Sequence, residues 1–286
     1  MSVMVIGGAG YIGAHVVRLL QQAGEEVVVV DDLSTSVAGR VGDSPLVVLD
    51  VATPEASRAL EREMRERDVD AVIHFAARKQ VGESVARPLW YYEQNVGGMG
   101  NVLAAMQAAG VSRMIFSSSA AVYGIPDVDL VEEDIPKNPI NPYGRTKLIG
   151  EWMLEDCARA WDLRFVALRY FNVAGSGWDD LGDPAVMNLI PMVLERLARG
   201  EAPRVFGDDY PTPDGTCIRD YVHVRDLAEA HVAALEALRA GPTPHAVYNV
   251  GTGTGASVAE VIATIGEVTG LEVTPVVEAR RPGDPP

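Results

Sequence analysis

Short apolar runs alternate with longer amphipathic segments along the chain as far as Asn172. Runs such as "SVMVIG", "EVVVVD" and "PLVVLD" are almost continuously apolar, which is typical of strands that are buried on both faces. The segments between such runs repeat apolar residues at helical spacing, as in "YIGAHVVRLLQQAG" and "PYGRTKLIGEWMLEDCARAW". This alternation predicts a doubly wound α/β fold, in which helices cover both faces of a parallel sheet.

The pattern changes after Asn172, where Gly, Pro and Asp become frequent. A chain of 286 residues is long enough for one large domain or two coupled ones. We therefore expect a first domain over residues 1–170 and a smaller α/β domain over residues 171–286, with one helix of the second part packing back on the first. The helices predicted in this second part lie near 187–199, 225–238 and 258–268.

The charge balance narrows the range of partners. The chain has 24 Lys and Arg residues against 40 Asp and Glu residues, a formal net charge of −16, which argues against nucleic acid or anionic membranes as partners. No apolar run reaches the ~18 residues of a membrane span, and the first residues lead straight into a predicted strand without a targeting signal. Cys157 and Cys217 form no disulfide framework, so we expect a cytoplasmic protein. The five histidines do not pair at metal-ligand spacing, so we expect no metal site.

The first strand is followed by "GGAGYIG", which opens the first helix. The motif combines Gly10 and Gly13 with either Gly7 or Gly8, and glycines here let the backbone approach a pyrophosphate at the helix N-terminus. The second strand ends at "DD", Asp31 and Asp32, where an acid can bind the ribose hydroxyls of an adenosine. Two carboxylates would repel a 2′-phosphate, so the motif favours NAD over NADP.

The third apolar run ends at Asp50 and Val51, which could border the adenine. For Asp50 an equally good interpretation is that its carboxylate caps the turn before Pro54.

"NPYGRTK" places Tyr143 four residues before Lys147, so both side chains lie on one face of a predicted helix. An isolated tyrosine, with a pKa of about 10, is a poor base at neutral pH. A nearby ammonium group stabilises the phenolate, which can then exchange a proton with an alcohol while hydride moves to a nicotinamide. Such a pair arises easily by chance, and it gains meaning from the glycine motif upstream.

Three consecutive serines end the strand "RMIFSSS" and begin the stretch "SSSAAVYG". Ligands of parallel sheets bind beyond the carboxyl ends of the strands, so these hydroxyl groups should face the same crevice as the cofactor. One of them could bridge a substrate alcohol and Tyr143.

Together, the glycine motif, "SSSAAVYG" and the Tyr143/Lys147 pair resemble the extended short-chain dehydrogenase/reductase family. Further stretches, among them "VIHFAARKQVGESV", "RYFNVAG" and "VFGDDYPTPDGTCIRDYVHV", are similar to the UDP-sugar 4-epimerases of that family, and the similarity runs along essentially the whole chain. The resemblance implies a Rossmann-type doubly wound parallel sheet that binds NAD in residues 1–170. It also implies a smaller C-terminal α/β domain, in residues 171–286, that binds a nucleotide sugar.

The resemblance also implies a reaction and an assembly. NAD+ would stay bound while Tyr143 takes the proton of the sugar 4-hydroxyl, the C4 hydride passes to the nicotinamide, and the 4-keto sugar rotates before the hydride returns. UDP-glucose and UDP-galactose would be interconverted in this way. A homodimer would pair through "LWYYEQNV" and "EWMLEDCARAW", although the large aromatics of these stretches could instead belong to the core.

Matching the motif positions implies individual site residues. The implied catalytic residues are Ser119, Tyr143 and Lys147. The implied cofactor-binding residues are Gly7, Gly10, Tyr11, Ile12, Gly13, Asp31, Asp32, Ser34, Thr35, Ser36, Asp50, Val51, Phe75, Ala76, Ala77, Lys79, Asn95, Ser117, Tyr143, Lys147 and Tyr170. The implied substrate-binding residues are Lys79, Ser119, Tyr143, Asn172, Asn188, Leu189, Phe206, Arg219, Arg281 and Asp284.

The sequence argues against some alternative functions and leaves others open. Nucleotide-sugar dehydratases carry an acid pair where this chain has Ala120 and Ala121, so elimination of water is disfavoured. Close relatives often have Thr at the position of Ala121, and its absence removes a hydroxyl near the sugar. Family members usually extend further at the C-terminus, in a segment that controls access for N-acetylated sugars, so UDP-GlcNAc and UDP-pentoses stay open as substrates. A non-catalytic NAD-sensing protein usually lacks the tyrosine–lysine pair that this chain keeps.

Overall fold

A computed structural model describes residues 1–128, 130–241 and 245–280. The strands in these residues are β1 (Ser2–Ile6), β2 (Glu26–Asp31), β3 (Leu46–Val48), β4 (Val69–His74), β5 (Arg113–Ser119), β6 (Arg164–Tyr170), β7 (Asn172–Ala174), β8 (Arg204–Phe206), β9 (Ile218–His223), β10 (Ala246–Val250), β11 (Gly255–Ser257) and β12 (Val276–Glu278). The helices are α1 (Tyr11–Gln22), α2 (Ala56–Glu66), α3 (Val81–Ala86), α4 (Pro88–Tyr91), α5 (Gly98–Ala109), α6 (Pro142–Trp161), α7 (Leu189–Ala198), α8 (Val224–Ala240) and α9 (Val258–Thr269).

One large parallel sheet organises the described residues. Its seven strands lie in the order β10-β6-β5-β4-β1-β2-β3, and each neighbouring pair is parallel. The strand order reverses beside β1, and the crevice at such a reversal is where ligands of open parallel sheets bind. The predicted doubly wound α/β fold is confirmed.

Alternate residues of the central strand β1 face two separate apolar layers. Met4 and Ile6 pack with side chains of α2, α5 and α6 on one side of the sheet, whereas Val3 and Val5 pack with α1 and α8 on the other. Because successive side chains of a strand point to opposite faces, a strand buried on both faces must be apolar throughout. This explains the unbroken apolar run at the start of the chain.

Residues beyond 170 contribute to more than one part of the structure. Strand β10 pairs with β6 at the edge of the large sheet, and Leu235 and Leu238 of α8 lie in the same apolar layer as α1. The remaining strands form the small sheets β11-β9-β7 and β12-β8. Val193, Val205 and Ile262 form a separate cluster between α7, β8 and α9. Within the described residues, no helix is both long enough and apolar enough to span a bilayer.

The stretch "LWYYEQNVGGMGNVLAAMQAAG" reads as one long helix in the sequence, but the structure divides it. Helix α4 continues into a π-helical stretch, Tyr92–Gly97, before α5 begins. A side-chain carbon on Gly98 would lie only 3.0 Å from Val51, so a glycine is needed where the helix passes this close to the turn after β3. Single π-turns of this kind often occur at functional sites, and Asn95 lies within this one.

Candidate active site

A cleft of about 1450 Å³ runs along the carboxyl ends of the large sheet. The predicted residues that line it are Gly7, Gly10, Tyr11, Ile12, Gly13, Asp31, Asp32, Ser34, Thr35, Asp50, Val51, Phe75, Ala76, Ala77, Lys79, Ser117, Ser119, Tyr143, Lys147, Tyr170, Asn172, Asn188, Leu189 and Arg219. Three predicted residues in the described part of the chain do not line the cleft: Ser36, Asn95 and Phe206. Arg281 and Asp284 lie outside the described residues.

The glycine loop is packed too tightly for side chains at several positions. Gly7 has a φ of 81°, and a Cβ there would lie 2.6 Å from the nitrogen of Ala76. A Cβ on Gly13 would lie 2.3 Å from the carbonyl oxygen of Gly7. Helix α1 starts after Gly10 without a side-chain cap, so its first N–H groups are available to an anion in the cleft.

Asp31 is buried, and protein groups already bind its carboxylate. The backbone N–H groups of Ala9 and Leu33 donate to it at 3.0 and 2.9 Å, and the Ser36 hydroxyl donates at 3.0 Å. Asp31 therefore fixes the glycine loop to the end of β2, and Ser36 supports Asp31 from behind the cleft wall.

Asp32 is paired with Arg78, a residue that the sequence analysis missed. The Arg78 Nη2 donates to the Asp32 carboxylate at 2.7 Å, and its Nη1 donates to the Ser34 hydroxyl at 2.6 Å. Burial opposes the charge of Asp32, but hydrogen bonds from Ser34 and the charge of Arg78 outweigh burial and lower the pKa of Asp32. The guanidinium also lies over the Trp90 ring, 5.2 Å from its centroid. The argument that both carboxylates repel a 2′-phosphate is thus weakened for Asp32, because Arg78 compensates its charge.

Both interpretations of Asp50 describe its surroundings. Its carboxylate accepts a hydrogen bond from the Ala52 N–H at 2.9 Å, which caps the turn, and the residue also lines the cleft with Val51.

Asn95 does not line the cleft but supports its wall through hydrogen bonds. Its side chain bonds both backbone groups of Arg78 and donates to the Thr146 hydroxyl at 2.9 Å. It thereby ties the segment that carries Arg78 to helix α6.

Helix α6 presents Tyr143 and Lys147 to the serine-rich end of β5. Asn141 caps the helix by accepting from the Gly144 N–H at 2.9 Å. The Lys147 ammonium donates to the Ser117 carbonyl oxygen at 2.7 Å, and Tyr143 shares a hydrogen bond with the Ser119 hydroxyl. The predicted spacing therefore brings a phenol, an ammonium and a hydroxyl to one wall of the cleft.

The three consecutive serines have three different partners. Ser117 shares a hydrogen bond with the Tyr170 hydroxyl, and the Ser118 hydroxyl donates to the buried Glu151 carboxylate at 2.5 Å. Ser119 bonds Tyr143 and also accepts from the Ala121 N–H at 3.2 Å.

Burial shifts the proton equilibria of this wall. Burial raises the pKa of the Tyr143 phenol, and the hydrogen bond with Ser119 opposes this shift. Burial lowers the pKa of Lys147 to about 7, and the charge of Glu151 opposes this shift. The protein alone therefore favours a neutral phenol, and Tyr143 needs positive charge nearby to act as a base.

The cleft is also lined by most of the residues predicted to bind a substrate. The predicted substrate residues that line the cleft are Asn172, Asn188, Leu189 and Arg219, and the Asn188 amide donates to Asp183 at 2.7 Å. The described residues contain no group of three or more His, Cys, Asp or Glu side chains arranged to hold a metal ion.

Sequence reasoning also missed two residues that line the cleft. Tyr123 and Asn249 line the cleft, and the Tyr123 hydroxyl donates to the Asn249 side-chain oxygen at 2.7 Å. The motif "YNVGTG" contains Asn249 and was the available signal.

Comparison with known proteins gives the same assignment along the whole chain. The NAD dependent epimerase/dehydratase family matches residues 3–251. A UDP-glucose 4-epimerase from Azospirillum brasilense is 48% identical, over 99% of this chain and 82% of its own length.

Solved structures match equally well. The UDP-glucose 4-epimerase of Brucella ovis in complex with NAD is 46% identical and superposes with a TM-score of 0.93, covering 100% of this chain and 88% of that one. The UDP-glucose 4-epimerase of Stenotrophomonas maltophila, with bound NAD and formylated UDP-arabinopyranose, is 43% identical with the same TM-score and the same coverage of both chains. The chain therefore belongs to the NAD dependent epimerase/dehydratase family.

Proposed function

We propose that this protein interconverts UDP-glucose and UDP-galactose by inverting C4 of the sugar, with NAD+ bound throughout the cycle. One observation carries the proposal: Ser119, Tyr143 and Lys147 converge on one wall of a cleft that extends from the glycine loop to Arg219. The UDP-glucose 4-epimerase from Azospirillum brasilense, 48% identical to this chain, supports the same function.

The proposed reaction removes one proton and one hydride from the sugar and then returns both. NAD+ held by the glycine loop would supply the hydride acceptor for the sugar C4 and, once reduced, the hydride donor to the other face of the 4-keto sugar. Tyr143 as phenolate takes the proton of the 4-hydroxyl and gives it back, with Ser119 orienting the hydroxyl. Lys147 stabilises the phenolate and holds the nicotinamide ribose.

The remaining predicted residues divide between the two halves of the chain. We assign residues 1–170 to NAD and residues 171–286 to the nucleotide sugar. On the cofactor side, the glycine loop holds the pyrophosphate, Asp31 and Asp32 face the ribose, and Asp50 and Val51 face the adenine. The cofactor side is completed by Ser34, Thr35, Ser36, Phe75, Ala76, Ala77, Lys79, Asn95, Ser117 and Tyr170.

The substrate side must grip the nucleotide while the sugar turns. Binding energy from the non-reacting UDP then positions the reacting carbon. Arg219 is assigned to the diphosphate, because a forked guanidinium suits phosphate oxygens. The resemblance assigns the rest: Lys79, Asn172, Asn188 and Leu189 along the sugar and diphosphate path, Phe206 to the uracil, Arg281 to the diphosphate and Asp284 to the uridine ribose.

Other substrates and a second function class remain as alternatives. The Stenotrophomonas protein holds a UDP-pentose derivative, and a UDP-Glc/GlcNAc 4-epimerase from Campylobacter jejuni is 38% identical to this chain, so UDP-arabinose and UDP-GlcNAc are both candidate second substrates. A protein that senses NAD without turnover would be the choice if the Tyr143/Lys147 pair proved inactive.

We also propose a homodimer in the cytoplasm. Leu89 is 82% exposed and Trp152 is 54% exposed, on the two helical stretches for which pairing is predicted. Tyr91, from the first of these stretches, is instead fully buried in the core. Sedimentation velocity of the purified protein measures the assembly directly.

Replacing Tyr143 with Phe tests the proposed reaction. The protein should convert UDP-galactose without added cofactor, and Tyr143→Phe should retain NAD+ while losing about 10²- to 10⁴-fold in kcat, because the proton acceptor is gone. A coupled assay for UDP-glucose measures the rate, and the cofactor released on denaturation measures the NAD+ content.

Tyr248→Phe is the matched control, because Tyr248 is 51% exposed on β10. Near wild-type turnover by Tyr143→Phe would refute the role assigned to this tyrosine. A wild-type protein that carries NAD+ but yields no product would favour the sensing function.

A further inference from the structure

A buried ion pair lies directly behind the catalytic lysine. Glu151 follows Lys147 by one helical turn on α6, so the two side chains share a face. Arg169, from β6, donates to the Glu151 carboxylate through Nη2 at 2.6 Å and through Nε at 2.9 Å. Glu151 and Arg169 are each only 3% exposed, so this charge pair is shielded from water on all sides.

The pair is attached to the serine-rich strand end as well. The Ser118 hydroxyl donates to Glu151 at 2.5 Å, while the Lys147 ammonium donates to the carbonyl oxygen of Ser117 at 2.7 Å. Arg169 is held in turn by the Tyr123 hydroxyl, to which its Nη1 donates at 2.8 Å. Every hydrogen-bonding group of this cluster therefore has a fixed orientation.

Several ionisable groups surround Lys147, and they come from three elements. Tyr143 and Glu151 lie on its own helix, and Arg169 and Tyr170 come from β6. His74 comes from β4. Strand β5 contributes serine hydroxyl and carbonyl groups and the Phe116 ring, whose centroid lies 5.1 Å from the Lys147 ammonium nitrogen. Glu151 is the only carboxylic acid among these ionisable groups.

The charge of Lys147 depends on this acid. Burial lowers the pKa of the ammonium to about 7, and the negative charge of Glu151 acts in the opposite direction. Burial also lowers the pKa of His74 to about 3, so His74 stays neutral. A neutral Lys147 would no longer stabilise the Tyr143 phenolate.

We propose that Glu151, fixed by Arg169 and Ser118, is a positioning residue whose negative charge keeps Lys147 charged beside the catalytic wall. Glu151 does not line the cleft, so it acts through Lys147 and not on the substrate. The inference rests on the proposed epimerase function. The competing explanation is that the pair only joins α6 to β6, as many buried ion pairs join two elements.

Replacing Glu151 with Gln removes the charge and keeps the shape. With less ammonium at Lys147, the pKa of Tyr143 should rise, so the acid limb of the kcat–pH profile should move upward by about one pH unit. The KM for UDP-galactose should stay within about twofold of the wild-type value, because no cleft residue changes. Glu155→Gln is the matched control, since Glu155 lies one turn further along the same helix and is exposed.

Replacing Glu151 with Asp separates charge from structure. The shorter side chain loses the paired geometry with Arg169, so the Tm should fall, but the charge remains and the acid limb should stay within about 0.3 pH unit of wild type. If Glu151→Gln yields no folded protein, Glu151→Asp decides. An unmoved acid limb supports the proposal, and an upward shift in folded, NAD-loaded Glu151→Asp overturns it.

A titration that needs no turnover keeps this inference separate from the proposed function. The near-ultraviolet absorbance of the phenolate, taken as the difference from the matching Tyr143→Phe protein, reports the ionisation of Tyr143 in NAD-loaded protein. The proposal requires the midpoint to move upward in Glu151→Gln and to stay in place in Glu155→Gln. An unchanged midpoint in folded Glu151→Gln overturns it, whether or not the protein proves to be an epimerase.

Discussion

Arg78 joins three parts of the cofactor side of the cleft. Its guanidinium pairs with Asp32 and Ser34 at the end of β2 and lies over Trp90, and its Nε donates to Gln94 at 3.1 Å. A planar guanidinium suits this combination of hydrogen bonding and stacking, which a lysine could not reproduce. Arg78 therefore fixes the orientation of Asp32 and Ser34 at the end of β2, beside the position proposed for the ribose.

Replacing Arg78 with Ala should weaken the binding of NAD+. The Asp32 carboxylate would lose its compensating charge and its fixed direction, and we expect about a tenfold higher Kd for NAD+. Calorimetric titration of NAD+ into cofactor-free protein measures the change. Arg87→Ala is the control, because Arg87 lies over the same tryptophan, 3.9 Å from its centroid, but pairs with Glu83. Equal losses in both variants would show that stacking on Trp90 is what matters.

Sequence separation decided which site residues could be predicted. Tyr143 and Lys147 are four positions apart, so helical geometry alone places them on one face. Arg78 bonds Asp32 across 46 positions, and Tyr123 bonds Asn249 across 126. Nothing in a single sequence pairs positions so far apart, and only the folded sheet brings them together.

The segment 175–183 crosses over the N-terminus of α1. The Tyr11 hydroxyl donates to the Gly175 carbonyl oxygen at 2.5 Å, and the Gly177 N–H donates to the His15 Nε2 at 3.0 Å. Trp178 lies beside His15, with 5.6 Å between ring centroids. Because Gly175 and the glycine loop line the same cleft, this segment borders the position proposed for the pyrophosphate.

Replacing Trp178 with Ala should speed the loss of NAD+. The segment would keep its backbone hydrogen bonds but lose its aromatic contact with α1, and we expect NAD+ to dissociate about three- to tenfold faster. Exchange of bound NAD+ for an isotopically labelled form measures this rate. Asp179→Asn, an exposed change in the same segment, should leave the rate unchanged. An unaltered rate in Trp178→Ala would show that the segment does not limit exchange.

Elements with a strong local pattern were predicted, and those set by packing were not. The helices α1, α5, α6 and α8 follow from apolar periodicity, as do all strands of the large sheet except β10. The π-helical stretch Tyr92–Gly97 does not, because its register depends on Asn95 reaching Thr146 and on Gly98 passing Val51. These contacts involve elements that are distant in sequence.

Three histidines are buried within the fold and stay neutral there. His15, His74 and His231 are at most 2% exposed. Burial lowers the pKa of each, to about 3 for His74 and about 4 for His231. In an unfolded chain a histidine has a pKa of about 6.5, so the unfolded state binds protons first as the pH falls. The stability that these groups contribute is present above pH ~6.5 and is lost as the pH falls towards 4.

Replacing His231 with Gln should flatten this acid destabilisation. The variant lacks one of the three titrations, so its free energy of unfolding should fall by about 2–3 kcal/mol less than that of wild type between pH 6.5 and 4. Urea unfolding at a series of pH values measures the slope. His245→Gln is the control, because His245 is exposed. A parallel loss of stability in His231→Gln and wild type would exclude His231 as a contributor.

The position of β10 at the edge of the large sheet sets a delay during synthesis on the ribosome. Strand β6 ends at Tyr170, and the strand that covers its free edge begins only at Ala246. At about 5–20 residues per second, the segment between them takes on the order of ten seconds to translate. During that interval the nascent chain presents unpaired backbone groups that can capture another strand. Slow translation beyond residue 170 therefore lengthens the period in which newly made chains can aggregate.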